Sequence, residues 1–216
     1  MSAQWITWNS LPWLQQADEN GTTVQLGDRI LQSVSSCESL SDFLATVLPD
    51  IASEFAVQWI GVVDRWPQWS VQHEFGRHQF EHLPVRFFEE VFDRDAGGVA
   101  KMDQPADWSA VAVPLQNEAN NQRLLVLAGR RVDSADVGRV VALARVFQYC
   151  LAMATGCERA TNQSGRLRET LRVAYRLSEI FETVPLLDAL AEEATRILDC
   201  DRASIFIWDQ PNKKLL

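Results

Sequence analysis

The sequence predicts an α+β domain built on an antiparallel sheet, followed by a linker helix and the beginning of a second domain. Three observations in the 216 residues lead to this fold class. Two pairs of apolar segments, each pair joined by turn-forming residues, predict two β-hairpins. Amphipathic helices precede and follow these hairpins. Finally, an order of two helices and a strand near the start of the chain returns near its end, which indicates a duplicated domain.

Two helices are predicted at the start of the first domain. Leu26–Val34 has apolar residues at helical spacing. The next helix is predicted to begin at the cap residue Ser41. Pro49 lies inside it, and a kink or a broken turn is expected there, because proline removes one intrahelical hydrogen bond. Its apolar face consists of Leu44, Val47, Leu48, Ile51, Ala52 and Phe55.

The first hairpin is predicted from the strands Val57–Val63 and Trp69–Phe75. Alternation in the second strand would place Trp69, Val71, His73 and Phe75 on one face of the sheet. The second hairpin is predicted from Trp108–Leu115 and Arg123–Ala128, with a turn at Asn117–Asn121.

The region between the hairpins is predicted to contain one short helix, Val85–Phe92, with loops on either side. The second loop runs from Asp93 to Asp107 and includes Gly97 and Gly98. We expect the helices that flank the hairpins to pack on one face of the sheet and the loop helix to pack on the other.

The last helix of the first domain is predicted to begin at Asp133–Asp136. Its apolar stripe consists of Val137, Val140, Val141, Ala144, Phe147, Leu151 and Ala154. Gly156 and the polar segment Thr161–Gly165 predict an interruption before helix resumes near Arg166. Beyond Arg166, one stripe of Leu167, Leu171 and Ala174 predicts a homodimer interface with the same helix of a second molecule. A second stripe can face the following domain.

The end of the chain repeats the entry to the first domain. A helix, Leu186–Leu198, leads into the segment CDRASIFIWD, predicted to contain a strand at Ala203–Trp208 and to turn at Asp209–Asn212. In the self-match, Leu186 falls on Leu40, Asp188 on Asp42, Ile197 on Ile51 and Ile205 on Ile60. This order resembles the entry to a GAF domain, a small-molecule-binding and signalling module.

The resemblance implies one complete GAF domain and the start of another. Its boundaries would be a tail at 1–22, a domain at 23–155, a linker at 156–184 and a truncated second domain at 185–216. A lone strand leaves backbone groups unpaired, so the second domain is expected to continue in a longer protein. The alternative is a two-helix extension that packs on the first domain or on a partner chain.

The resemblance also implies a ligand pocket between the sheet and the loop helix. By their order along the chain, its walls would be Phe75, Arg86, Phe87 and Trp108, and Arg86 could meet an anionic group. The alternative is that Phe87, Trp108 and their neighbours fill this space as core. The asparagine-lysine-phenylalanine-aspartate-glutamate motif of cyclic-nucleotide GAF domains is absent, and so is a pocket cysteine for a bilin. No cofactor is expected.

Signals for catalysis and metal binding are weak. His73, His78 and His82 lie close in sequence, but no cysteine is near, so surface or pocket-edge histidines are the favoured interpretation. The sequence contains no nucleophile elbow, Gly-rich phosphate loop or kinase signature. We therefore expect no catalytic activity in this chain.

Charge and composition indicate a soluble cytoplasmic protein. The net charge of −9 argues against nucleic acid and anionic membrane surfaces as partners. Four scattered cysteines are typical of reduced thiols. The start of the chain lacks a signal peptide, and the apolar helix Val140–Ala154 is too short to span a bilayer.

Two functional hypotheses follow. The first is a sensory or regulatory module, for which the input part of a cytoplasmic sensor histidine kinase is the leading parent. A cyclic-nucleotide or diguanylate enzyme and a transcriptional activator are related parents. The second is a non-catalytic interaction scaffold, for instance in a secretion or efflux component. The N-terminal segment with Trp5, Trp8 and Trp13 is interpreted either as a flexible tail that packs on the domain or as a docking segment for a partner.

Overall fold

The computed structural model describes residues 4–7, 21–65, 67–77, 82–118 and 121–215. The chain forms two compact units, Met1–Glu158 and Arg159–Leu216. Trp8, Trp13, His78 and part of the turn predicted at Asn117–Asn121 lie outside the described residues.

The described elements follow in this order: β1 (Gln4–Thr7), α1 (Thr22–Ser36), α2 (Leu40–Glu54), β2 (Trp59–Asp64), β3 (Ser70–Gly76), α3 (Val85–Arg94), β4 (Ala96–Lys101), β5 (Ser109–Glu118), β6 (Asn121–Gly129), α4 (Ser134–Ser178), α5 (Thr183–Leu198), β7 (Trp208–Asp209) and β8 (Lys214–Leu215).

The first unit is built on an antiparallel sheet with the strand order β1-β4-β5-β6-β2-β3. The central strands β5, β6 and β2 are apolar on both faces, because helices cover the sheet on both sides. In register, Leu127 of β6 lies between Ile60 of β2 and Val111 of β5. The α+β fold class with an antiparallel sheet is confirmed.

Helices α1, α2 and α4 pack on one face of the sheet, which we call the helix face. Its core includes the residues predicted to meet there: Leu44, Leu48 and Ile51 of α2, and Val140, Phe147 and Leu151 of α4. Phe43 stacks on Phe147 with the ring centroids 5.9 Å apart. The predicted meeting of helices from before and after the sheet is therefore confirmed.

Helix α2 begins two residues earlier than predicted. Ser39, not Ser41, is the cap, and its Oγ accepts a hydrogen bond from the Asp42 N–H at 3.1 Å. The helix also runs through Pro49 without a break, so the predicted broken turn is wrong. Burial of the apolar residues around Pro49 offsets the hydrogen bond that the proline removes.

Helix α3 packs on the other face of the sheet, which we call the cleft face. Phe88, Val91 and Phe92 of α3 lie in one core with Trp59 and Val63 of β2. The Trp59 indole N–H donates to Glu74 Oε2 at 2.7 Å, which satisfies the polar end of a buried ring.

The loop predicted at Asp93–Asp107 contains a strand. β4 pairs with β5 on one side and with β1 on the other. Gly97 and Gly98 give this segment a loop-like composition, but each lies where a side chain would collide with a packed neighbour. The glycines are needed for close packing, so the loop prediction was wrong.

A β-bulge divides the two faces of β3. Val71 lies opposite Val63, whereas His73 lies opposite Val62, so the register shifts by one residue between them. Val63 belongs to the cleft-face core and Val62 to the helix-face core. The prediction that Trp69, Val71, His73 and Phe75 share one face is therefore wrong, since the first two face the cleft side and the last two the helix side.

Helix α4 has 45 residues and continues through Gly156 and Gly165, so the predicted interruption is wrong.

The expectation that this helix is too short to span a bilayer is also wrong. α4 contains an 18-residue window with a mean hydropathy of 1.5, and 44% of that window is buried in the protein. Its apolar residues in the first unit, such as Val140 and Phe147, are buried against the sheet. A core helix of this kind meets the same test of length and composition.

The second unit comprises the end of α4, α5 and the short pair β7 and β8. Of the strand predicted at Ala203–Trp208, only Trp208 is paired, with Leu215, so that prediction is largely wrong. Asp209, predicted to begin the turn, pairs with Lys214. The rest of the predicted strand has no neighbouring strand among the described residues with which its backbone could form sheet hydrogen bonds. Glu193 of α5 is buried and forms ion pairs with Arg172, Arg176 and Arg196.

Candidate functional site

A cleft of about 720 Å³ opens on the cleft face of the first unit, beside the start of α3. It is lined on one side by residues 82–87, which lead into α3 and form its first turn. Residues 102–104, which follow β4, line the other side. Its volume lies within the range of roughly 300–1,000 Å³ that is typical of small-molecule sites.

The α3 side of the cleft is set by the amphipathic pattern of the helix. Pro84 precedes the helix and the Phe88 N–H donates to the Pro84 carbonyl at 3.1 Å, so the first turn closes there. Phe87 and Phe88 are buried, which turns Arg86 away from the sheet. The Arg86 side chain is 91% exposed and lies 3.7 Å from Glu90. A single surface contact of that length binds the guanidinium only weakly, so it can also bind a ligand.

The other side of the cleft is set by a loop that folds back on itself. The Met102 N–H donates to the Trp108 carbonyl at 2.9 Å, and the Trp108 N–H donates to the Pro105 carbonyl at 3.0 Å. Met102 is buried, whereas Asp103 and Gln104 are exposed. The loop therefore places an apolar thioether inside the cleft and two polar groups at its rim.

The cleft thus combines an apolar floor with a charged rim. Phe87 and Met102 form the floor, and Leu83 adds a half-buried aliphatic group. His82, Arg86 and Asp103 are exposed at the rim. Such a site suits a molecule with an apolar body and at least one charged group. Among the described residues, no group of three or more His, Cys, Asp or Glu side chains could hold a metal ion.

The structure brings two of the four predicted pocket residues together at this cleft. Arg86 and Phe87 both line it. Trp108 lies in the cleft-face core but is fully covered and does not line the cleft. Phe75 lies opposite Ile60, on the helix face, and its side chain is 44% exposed. The bulge in β3 keeps Phe75 apart from the other three.

Sequence reasoning missed the loop side of the cleft. Met102, Asp103 and Gln104 were assigned to the loop Asp93–Asp107, although a methionine followed by Asp-Gln-Pro is compatible with the end of a strand. Their proximity to α3 depends on β4, a strand that was predicted as a loop. His82 was interpreted as a surface or pocket-edge residue, and it lines the cleft.

No family model matches the sequence, and no curated protein matches it either. Solved structures match the fold. The GAF domain of a phosphoenolpyruvate-protein phosphotransferase from Coxiella burnetii aligns with a TM-score of 0.50 at 15% identity, over 67% of this chain and 99% of that one.

Two further structures align slightly less well. The A. Aeolicus nlh2 GAF domain in an inactive state has a TM-score of 0.49 at 10% identity, over 61% of this chain and 96% of its own. Free methionine-R-sulfoxide reductase from Neisseria meningitidis, in complex with its substrate, has a TM-score of 0.49 at 14% identity. The alignment covers 61% of this chain and 89% of the reductase chain. Identities this low establish the fold alone.

The chain therefore contains a GAF-domain fold. The strand order, the helices on one face and α3 on the other make up that α+β fold. The second, incomplete domain inferred from the repeat stays a prediction.

Proposed function

We propose that the chain is a sensory or regulatory GAF module that binds a small molecule in the cleft between residues 82–87 and 102–104. The observation that carries this proposal is the cleft itself, which has an apolar floor of Phe87 and Met102 under a rim that includes Arg86. The module has no catalytic role of its own and acts in the cytoplasm, without nucleic acid or membrane as a partner. The net charge of −9 supports the last point.

The ligand class follows from the cleft chemistry. An apolar or aromatic body would cover Phe87 and Met102, and an anionic group would lie against the Arg86 guanidinium. Binding would order the Arg86 side chain, which is now 91% exposed.

A scaffold without a ligand is the second candidate, and one observation favours it. The aromatic rings Phe87, Phe88, Phe92 and Trp108 are all 5% exposed or less, so the interior of the cleft-face core is already filled. In this alternative, the cleft is a surface groove without a ligand, and the GAF fold serves only for dimerisation or for interaction with a partner protein. The two functions differ in whether the cleft binds anything.

Thermal-shift screening of a library of small aromatic and aliphatic carboxylates separates the two functions. A carboxylate that raises the melting temperature of the wild-type chain in a saturable manner, and does so less in Arg86→Ala, supports the sensory module. Arg29→Ala is the matched control, because Arg29 is also an exposed helical arginine but lies on α1, on the other face of the sheet. If no compound shifts the wild type, or if Arg86→Ala and Arg29→Ala respond alike, cleft binding is wrong.

We further propose that the module is the input part of a sensor histidine kinase and works as a homodimer. Leu167, Leu171 and Ala174 are exposed on α4, in the second unit, and would form the dimer interface. An uninterrupted α4 supports this proposal, because a continuous helix can pass a movement along its axis. Any reading frame that continues after Leu216 tests the kinase part: a phosphoacceptor histidine and an ATP-binding domain would support it, and a different output domain would contradict it.

A further inference from the structure

The N-terminal strand β1 contributes an aromatic side chain to the cleft face. β1 has four residues, and within the described part of the chain it pairs with β4 alone, where Trp5 lies opposite Gly98 and Ile6 opposite Gly97. Four pairs at the edge of a sheet hold a segment weakly. The half-buried Trp5 ring supplies the additional contacts that keep the segment in place.

The Trp5 ring lies where Gly98 has no side chain. A Cβ on Gly98 would be 2.7 Å from the Trp5 ring atoms Cε3 and Cζ3 and 3.3 Å from Cε2 of Phe87. Both rings therefore approach the backbone of β4 at one glycine. Their centroids are 5.9 Å apart with an interplanar angle of 44°, a favourable tilted pair.

Trp5 also contacts the other end of α3. The Arg94 guanidinium carbon lies 4.8 Å from the centroid of the Trp5 ring, in a cation–π contact. Phe87 is in the first turn of α3 and Arg94 is its last residue. One indole thus holds α3 at both ends, on the side of the helix that faces β4.

These contacts connect β1 to the cleft. Phe87 has Trp5 as one neighbour, and it also lines the cleft. The first turn of α3 cannot move away from residues 102–104 without disturbing the Phe87–Trp5 contact. Both a widening of the cleft and a release of β1 would therefore change the contacts of the Phe87 ring.

We propose that Trp5 is a positioning residue for the cleft. It clamps α3 onto β4, fixes the place of Phe87 and thereby keeps Met102 covered. The assignment of the cleft to ligand binding rests on the proposed function, whereas the clamp does not. By linkage, a ligand that displaces Phe87 loosens β1 to the same extent that release of β1 favours that ligand.

Oxidation of Met102 measures the clamp without any ligand. Met102 is 6% exposed on the cleft floor, and Met153 on α4 is 41% exposed and serves as an internal reference. In the full chain treated with dilute hydrogen peroxide, Trp5→Ala should raise the rate of Met102 sulfoxide formation about fivefold, as expected for loss of one aromatic contact. The rate at Met153 should not change. Trp5→Phe should restore most of the protection, since it retains a ring against Gly98.

Hydrogen exchange separates the clamp from general stability. In Trp5→Ala, amides of β1 and of the first turn of α3 should exchange faster, while amides of α2 around Ile51, which is fully buried, should keep their wild-type rates. Gly98→Ala, which places a Cβ in the indole position, should reproduce Trp5→Ala. Gly27→Ala is the matched control, because its Cβ would meet only Val146 Cγ2 at 3.9 Å.

Two results would overturn the proposal. In the first, β1 exchanges faster in Trp5→Ala but Met102 oxidises at the wild-type rate, so β1 is independent of the cleft. In the second, Trp5→Ala accelerates amide exchange in α2 by the same factor as it accelerates Met102 oxidation. Trp5 would then stabilise the fold as a whole and would have no specific effect on the cleft. Neither readout involves a ligand. A screen that finds no ligand therefore counts against the proposed function but does not change the conclusion about Trp5 from oxidation and hydrogen exchange.

Discussion

Gly97 and Gly98 are neighbours in β4 and open onto opposite faces of the sheet. A Cβ on Gly97 would be 2.5 Å from Cγ2 of Val141 in α4, and a Cβ on Gly98 would be 2.7 Å from the Trp5 ring. At this edge, α4 on the helix face and Trp5 on the cleft face are separated by little more than the backbone of one strand. The two glycines therefore determine how closely both layers pack on β4.

Gly97→Ala should destabilise the first unit by about 1–3 kcal/mol, the usual cost of overpacking a core. The added methyl group would also lie 3.2 Å from Val113 and 3.4 Å from Val137, so Val141 has little room to move away. Urea denaturation followed by tryptophan fluorescence measures the change. Gly27→Ala should be neutral or stabilising, because it adds a helix-favouring methyl group without a close contact. Equal midpoints for wild type and Gly97→Ala would contradict the argument.

Ile51 and Ile197 are matched by the internal repeat but differ in burial. Ile51 is fully buried in α2, whereas Ile197 is 57% exposed in α5. Ile51→Ala should cost about 2–5 kcal/mol, as a buried aliphatic truncation does. Ile197→Ala should change the free energy of unfolding by less than about 1 kcal/mol, because little apolar area is lost from the interior. Denaturant melts of both variants test this, and equal large losses would be incompatible with the observed burial.

The helices and most strands could be predicted because burial imposes a period on the sequence. α2 and α4 each pack one stripe on the sheet, and those stripes are visible at Ile51 and Phe147. β4 could not be predicted, because the two glycines that fit it between α4 and Trp5 have the composition of a loop. β1 was missed because four residues show no period, and its pairing depends on β4.

The candidate site could be predicted only in part, for the same reason. Arg86 and Phe87 are adjacent in sequence, so any placement of α3 beside the sheet brings both to the cleft. Met102 reaches the cleft only through the path of β4. Phe75 was misplaced by one residue of register, because a bulge reverses the two faces of a strand and leaves its alternation unchanged in sequence.

Leu171→Asp should convert a dimer to a monomer if the stripe on α4 is a homodimer interface. Leu167 and Leu171 are 57% and 68% exposed, so a second copy of the helix would bury apolar side chains that now lie in water. Sedimentation velocity over a concentration series measures the mass. The same charge placed at Val184, which is also 68% exposed but lies on α5, should leave the mass unchanged.

Two results would contradict the interface. A wild-type chain that remains monomeric at high concentration excludes it, and so does a Leu171→Asp variant that keeps the wild-type mass. Circular dichroism must show that helix content is retained in both variants, so that a change in mass reports association alone.

Acid should loosen the second unit before the first. The Arg172 side chain, and then that of Arg196, donates hydrogen bonds to Glu169 and lowers the pKa of its carboxyl group from 4.5 to about 2. Hydrogen bonds from Arg196 and Arg176 likewise lower the pKa of Glu193. Both carboxylates are therefore more acidic in the folded unit than in the unfolded chain. Their stabilising contribution is complete above about pH 4.5 and is lost as the pH falls towards 2.

Hydrogen exchange as a function of pH tests this effect. Amides of α5 should lose protection progressively between about pH 5 and pH 2, after correction for intrinsic exchange rates, because the ion pairs between α5 and the end of α4 lose their stabilising contribution as the carboxylates are protonated. Amides of α2 around Ile51 should retain protection through most of this range, since apolar packing holds them. In Glu169→Gln, the α5 amides should already be less protected at neutral pH. They should also lose less protection on acidification, because the variant lacks the carboxylate whose pKa folding lowers to about 2. Protection of α5 that does not change with pH in the wild type, or the same pH dependence in wild type and Glu169→Gln, would show that these ion pairs do not hold the unit together.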